Sequence, residues 1–112
     1  SVARMPNVVI TGANQGIGLE FARQLRARGE AVWGSCRASP GPLSDIGATV
    51  VPNCEVTDAA SLAALTAAAP ASVDTLILNA GVLPLDGCDV VGELDAAKML
   101  RCLEVNSVAP ML

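Results

Sequence analysis

The sequence predicts an α/β domain: a doubly wound, Rossmann-like parallel sheet with strand order 3-2-1-4 and helices on both faces. Three observations predict it. Short β-branched runs, apolar almost end to end, alternate with helix-length segments, the pattern of strands buried on both faces by crossover helices. A glycine-rich turn, Thr11 to Gly18 (TGANQGIG), stands between the first of these runs and the first helical segment. Right-handed crossovers, applied to the order β-α-β-loop-β-α-β-α, then set the second and third strands on one side of the first and the fourth on the other. The fourth strand has no neighbour on its far side, so the sheet reads as incomplete.

Asn7 to Thr11 (NVVIT) is β-branched and ends in glycine, as a buried strand does. From Ile17 to Arg28, Phe21, Ala22 and Leu25 fall on one stripe while Glu20, Arg23, Gln24, Arg26 and Arg28 lie mostly off it, which predicts an amphipathic helix. Glu20 sits toward its positive end, Arg26 and Arg28 toward its negative end, and Gly29 supplies a left-handed stop. Ala31 to Ser35 predicts the second strand, and the prolines and glycine of ASPGPLSD exclude regular structure after it. Thr49 to Asn53 predicts the third strand. Asp58 caps a helix running through Leu62 and Leu65 to about Ala69, where Pro70 ends it. Thr75 to Asn79 (TLILN) is a fourth strand, apolar on both faces. A loop from Ala80 to Leu94 follows, and Asp95 caps a last helix. In that helix Pro110 has no N–H to give to the carbonyl of Asn106.

Bulk properties set the outer limits. A chain of 112 residues holds one domain at most. With 52% hydrophobic residues and a mean hydropathy of +0.50 it has a core to bury, which excludes disorder. A net charge of −4 with unclustered basic residues carries no nucleic-acid footprint. The apolar runs are too short for a membrane span, and the first residues lack a signal-like apolar stretch, so a cytoplasmic chain is expected. Cys36, Cys54, Cys88 and Cys102 form no C-x-x-C pair and have no histidine to share a metal with. They read as buried free thiols. With no histidine and no tyrosine, the chain carries neither a catalytic imidazole nor a catalytic phenol.

The strongest chemical signal is the glycine turn. Gly12 lets the chain turn sharply off the strand, and Gly16 lets backbone approach a pyrophosphate where a Cβ would collide. Gly18 lies one turn before Ala22 and two before Leu25, so a bare Cα there lets the helix pack closely. The free N–H groups and positive dipole of the first helical turn complete an anion site. A Walker-type loop is excluded, because no Gly-Lys-Ser/Thr follows.

T-G-x-x-x-G-x-G after the first strand, LNAG (Leu78 to Gly81) after the fourth and N-x-x-x-P (Asn106 to Pro110) in the last helix together resemble the short-chain dehydrogenase/reductase family. The resemblance runs from Val8 to Leu112; TGANQGIGLEFARQL followed by GSCR looks most like the carbonyl-reductase branch that includes sniffer and C-factor proteins. It implies that residues 1–112 form the N-terminal, dinucleotide-binding part of a Rossmann domain, ending before the family's Tyr-x-x-x-Lys segment. It also implies that Gly12, Asn14, Gln15, Gly16, Ile17 and Gly18 contact the cofactor. At the end of the second strand an NAD site needs a carboxylate and an NADP site a cation. Cys36 and Arg37 stand there, so NADP is expected over NAD.

By the same resemblance Glu55 and Val56 bracket the adenine, with Glu55 where the family usually has aspartate. Asn79, Ala80 and Gly81 end the fourth strand with the small residues that a ribose lying over it requires. Leu78 replaces a family asparagine, which removes a side-chain hydrogen bond between neighbouring strands. Asn106 resembles the family asparagine that holds a water linked to the active-site lysine. In the family, hydride passes between the nicotinamide and a carbonyl substrate while a tyrosine exchanges the proton beside that lysine. Lacking the tyrosine, this chain is expected to bind without turnover. An alternative is a non-catalytic module that pairs with a second copy or another protein through its last helix and uncovered fourth strand.

Overall fold

The computed structural model describes residues 4–82 and 95–111. Strands β1 (Asn7–Ile10), β2 (Ala31–Ser35), β3 (Thr49–Val51) and β4 (Thr75–Ile77) form one sheet in the order β3-β2-β1-β4. Every pairing is parallel, with Val8 opposite Val32 on one side and Thr75 on the other. The α-helices among the described residues are α1 (Gly16–Ala27), α2 (Ala59–Ala68) and α3 (Ala96–Leu103). The α/β class and the order 3-2-1-4 are those the sequence predicts.

The period-2 alternation of β1 divides the core in two. Val8 and Ile10 meet Ala22, Val32 and Leu43 on the face covered by α1, with Leu19 and Leu25 packed against them. Val9 points the other way, to Val51, Cys54 and Leu65 of α2. The central strand is therefore buried on both faces, as a continuous apolar run requires.

Several boundaries and faces differ from the sequence reading, each for a local reason. Helix α1 starts at Gly16, so Glu20 lies beyond its first turn and pairs instead with Arg23 at 2.8 Å and Gln24 at 3.2 Å. Its buried arc runs through Gly18, Leu19, Ala22 and Leu25, which leaves Phe21 at the edge of the stripe and 43% exposed. The ASPGPLSD segment is not irregular throughout. A 3-10 turn, Gly41–Leu43, drives Leu43 fully into the core, where a Cβ on Gly34 would come within 2.7 Å of it. Strand β3 stops at Val51, because Pro52 has no N–H for a ladder and Asn53 takes a left-handed φ of 55°. Strand β4 stops at Ile77, and apolar side chains there are not covered: Leu76 is 57% exposed and Leu78, just past the strand, 51%.

The predicted caps hold. The Asp58 carboxylate accepts the Ser61 N–H at 3.0 Å and the Asp95 carboxylate accepts the Lys98 N–H at 3.1 Å. Ahead of Pro110 the last helix widens into a π turn, Glu104–Val108, in which the Ala109 N–H bonds the Glu104 carbonyl, and it closes with a 3-10 turn, Ala109–Met111. Cys36 and Cys54 are free and buried, and burial pushes both thiols above their usual pKa; Cys102 is free and half-buried. The loop expected over 80–94 is described only as far as Val82, and Cys88 lies outside the described residues. Among the described residues no helix is long and apolar enough to cross a membrane.

Candidate functional site

A cleft of about 520 Å³ opens where the C-terminal ends of the four strands meet the start of α1. This is the switch point of an open parallel sheet, where chain segments diverge to opposite faces and leave a crevice. Of the residues singled out from sequence, Gly12, Asn14, Gln15, Gly16, Arg37, Glu55, Val56, Asn79, Ala80 and Gly81 line it. Ile17, Gly18 and Asn106 do not.

The glycine turn is fixed by contacts to the end of β4. A Cβ on Gly12, whose φ is +65°, would lie 2.8 Å from the Ala80 Cα. The Thr11 hydroxyl accepts both the Asn79 and Ala80 N–H groups at 3.0 Å, and the Asn79 amide donates to the Gly12 carbonyl at 3.0 Å. Asn79 and Thr11 thus join the neighbouring strand ends, a tie to which Leu78 contributes no polar group. Gly18 packs beneath this junction: a Cβ there would collide with the Gly12 carbonyl oxygen and the Asn79 amide. Its role is close packing against the turn rather than lining the cleft.

Gly16 differs from both. Its φ is +59° and no protein atom would meet its Cβ within 4 Å, so the space it leaves faces the cleft. Ile17 projects outward and is 71% exposed. Gln15, at the cap position before α1, gives the helix no side-chain cap, whereas α2 and α3 are each capped by aspartate. The first-turn N–H groups of α1 have no intrahelical acceptor, and Gln15 and Gly16, which open the helix, line the cleft, the arrangement that binds a phosphate anion. The residues present therefore fit a pyrophosphate at the helix start.

Beyond β2 and β3 the cleft turns polar. Arg37 is largely exposed, with its Nη1 3.8 Å from Glu55 Oε2. Arg101, on α3, donates to the same oxygen at 2.9 Å and to the Thr57 hydroxyl at 3.3 Å. The Thr57 hydroxyl in turn donates to Glu55 Oε1 at 3.1 Å. Burial alone would raise the Glu55 pKa, but the hydrogen bonds from Arg101 and Thr57 outweigh it and hold the carboxyl below its ordinary value. Sequence reasoning missed Arg101, because only the fold brings α3 over the exit of β3. Both oxygens of Glu55, expected beside the adenine, already accept hydrogen bonds from the protein.

Asn106 stands behind the cleft rather than in it. Its Oδ1 accepts the Val82 N–H at 2.8 Å and its Nδ2 donates to the Val82 carbonyl at 2.9 Å. The side chain clamps the segment after Gly81 to the π turn, and a Cβ on Gly81 would approach Asn106 Oδ1 to 3.2 Å.

The short chain dehydrogenase family pattern matches residues 6–112. A 1-hydroxy-2-glutathionyl-2-methyl-3-butene dehydrogenase of Rhodococcus sp. (strain AD45) is 36% identical over 110 residues, covering 96% of this chain and 47% of that protein. A short-chain dehydrogenase/reductase of Burkholderia multivorans with bound NADP superposes with a TM-score of 0.84 at 25% identity, over 96% of this chain and 50% of the other. The F189W actinorhodin polyketide ketoreductase with NADPH gives 0.82 at 30% identity, over 96% and 44%. The chain spans about half the length of each of these relatives. Fold, glycine turn and family match agree: the chain belongs to the short chain dehydrogenase family and corresponds to its N-terminal, NAD(P)-binding region.

Proposed function

We propose that this chain is the NADP-binding portion of an oxidoreductase that reduces a carbonyl substrate. The observation that carries the reading is the convergence, in one cleft, of an uncapped helix start, a glycine turn open at Gly16 and the cation Arg37. The first-turn amides of α1 would take the pyrophosphate. Arg37 would take the 2′-phosphate, Val56 would flank the adenine, and Asn79, Ala80 and Gly81 would lie beneath a ribose. When bound, NADPH supplies the hydride that such a reaction consumes. Asn106 holds the Val82 backbone in place and so fixes the wall behind the strand end; its proposed link to a proton path rests on the family resemblance. The GSCR run and the glycine turn support the carbonyl-reductase branch that includes sniffer and C-factor proteins. The chain has no tyrosine, so the reading is of nucleotide binding without turnover by these 112 residues.

Titration with NADPH and NADH, read by nicotinamide fluorescence, tests it. A charge-assisted contact from Arg37 is worth about 1.5–3 kcal/mol, roughly one to two decades in Kd. NADPH is expected to bind tighter by that margin, and Arg37→Asp to reverse the order. Equal affinity for both nucleotides before and after the change contradicts the cofactor assignment.

A second reading is favoured by one observation. Leu76 on the outer strand and Leu78 just past it, and Leu100, Leu103, Val108 and Met111 on the last helix and its extension, are all more than half exposed. Such an apolar surface suits pairing with another chain or a second copy.

A further inference from the structure

The polar end of the cleft holds two guanidinium groups and one carboxylate, and the distances show how that carboxylate is shared. Glu55 Oε2 accepts a hydrogen bond from Arg101 at 2.9 Å, while Arg37 stands back at 3.8 Å, beyond hydrogen-bonding distance. Thr57 occupies the other oxygen through its hydroxyl at 3.1 Å and its N–H at 3.4 Å. Glu55 is therefore committed to α3 and its own turn. Arg37, 61% exposed in its side chain, keeps its donors for the cleft.

We infer that Arg101 is a specificity-determining residue: by holding Glu55 against the last helix it keeps Arg37 available for a 2′-phosphate. The inference rests on the NADP reading above and adds a residue to it. With Arg101 in place the three side chains carry a net single positive charge. Without it the cluster is neutral, and Glu55 Oε2 has Arg37 as its nearest cation among the described residues. A guanidinium paired with a carboxylate must give up that partner before it can grip a phosphate, so the energy of the phosphate contact falls. NADH, which makes no such contact, is spared. Arg101 acts here through Glu55, as a positioning residue.

The test is a mutant cycle on this chain, reading Kd for NADPH and NADH by isothermal titration calorimetry. Arg101→Gln is expected to lower the NADPH-over-NADH preference about tenfold by weakening NADPH alone. Glu55→Gln on that background removes the competing charge and is expected to restore the preference, and Arg101→Lys, which keeps a cation beside Glu55, to retain most of it. If both nucleotides weaken equally in Arg101→Gln, Arg101 only supports the fold and the inference is overturned. If Glu55→Gln fails to restore the preference, Arg101 touches the nucleotide directly and the inference is again overturned. Should Arg101→Gln not fold, loss of the preference in Arg101→Lys overturns it, while retention there together with an unchanged or increased preference in Glu55→Gln alone supports it. A wild-type chain with no preference for NADPH overturns the cofactor reading itself, an outcome distinct from a wild-type preference that Arg101→Gln leaves unchanged.

Discussion

Three glycines of one turn do three different jobs, and their substitutions separate stability from binding. Gly12→Ala sets a Cβ against the Ala80 backbone at a positive φ, and Gly18→Ala sets one against the Gly12 carbonyl. Each is expected to cost about 1–3 kcal/mol, because the obstacle is backbone rather than a flexible side chain. Gly16→Ala meets no protein atom. Its cost is that of a left-handed alanine, about 1–2 kcal/mol, yet its methyl enters the space left for a ligand. Urea midpoints and NADPH titrations on the three variants check this. Gly12 and Gly18 variants should lose midpoint, while the Gly16 variant should lose affinity out of proportion to its stability. Spacing alone made these positions legible as a group. Their separate reasons were legible only in part, because what a Cβ would strike depends on β4, which lies more than sixty residues away in the chain.

The elements were legible where a local signal decides them. Asp58 and Asp95 stand where the helices start, and alanine at either position is expected to cost about 1 kcal/mol, seen as a lower thermal midpoint. Elements were misjudged where a distant partner decides. Phe21 falls outside the buried arc because the sheet contacts Leu19 instead, and the Gly41–Leu43 turn is ordered because Leu43 fills the gap over Gly34. The N-terminal edge of the sheet shows the same dependence. Arg4 donates to Asp74 at 2.6 Å, and Asp74 also accepts the Asn7 N–H at 2.7 Å, tying the start of β1 to the start of β4. These hydrogen bonds, Arg4 first, bring the Asp74 carboxyl from an ordinary 3.8 down to about 2. A depressed carboxyl stabilises the fold above its unfolded value and loses that contribution as pH falls through its folded value. The urea midpoint should therefore drop between about pH 4 and pH 2, and Asp74→Asn should remove that part of the drop. An NMR titration placing Asp74 near its ordinary pKa would contradict the assignment.

At the scale of the whole molecule, the parallel order and its switch point follow from the alternation of apolar runs and helices, and the cleft follows from the switch point. What the alternation does not carry is the reach of α3 across the β3 exit, and hence Arg101 beside Glu55. It also does not show which apolar side chains stay outside. Leu100 and Leu103 are 65% and 55% exposed on α3, so the chain is expected to self-associate with rising concentration. Replacing both by lysine should return it toward the monomer mass in sedimentation; an unchanged distribution would remove that surface from the account. The proposed nucleotide site lies where the uncapped start of α1 meets the cleft. Amide chemical-shift mapping of the folded chain during an NADPH titration tests it most directly. Saturable shifts are expected at Gly12, Gly16 and Gly18, with the side-chain Nε of Arg37 shifting for NADPH and not for NADH; a folded chain whose glycine-turn amides stay still in millimolar NADPH contradicts the proposed site.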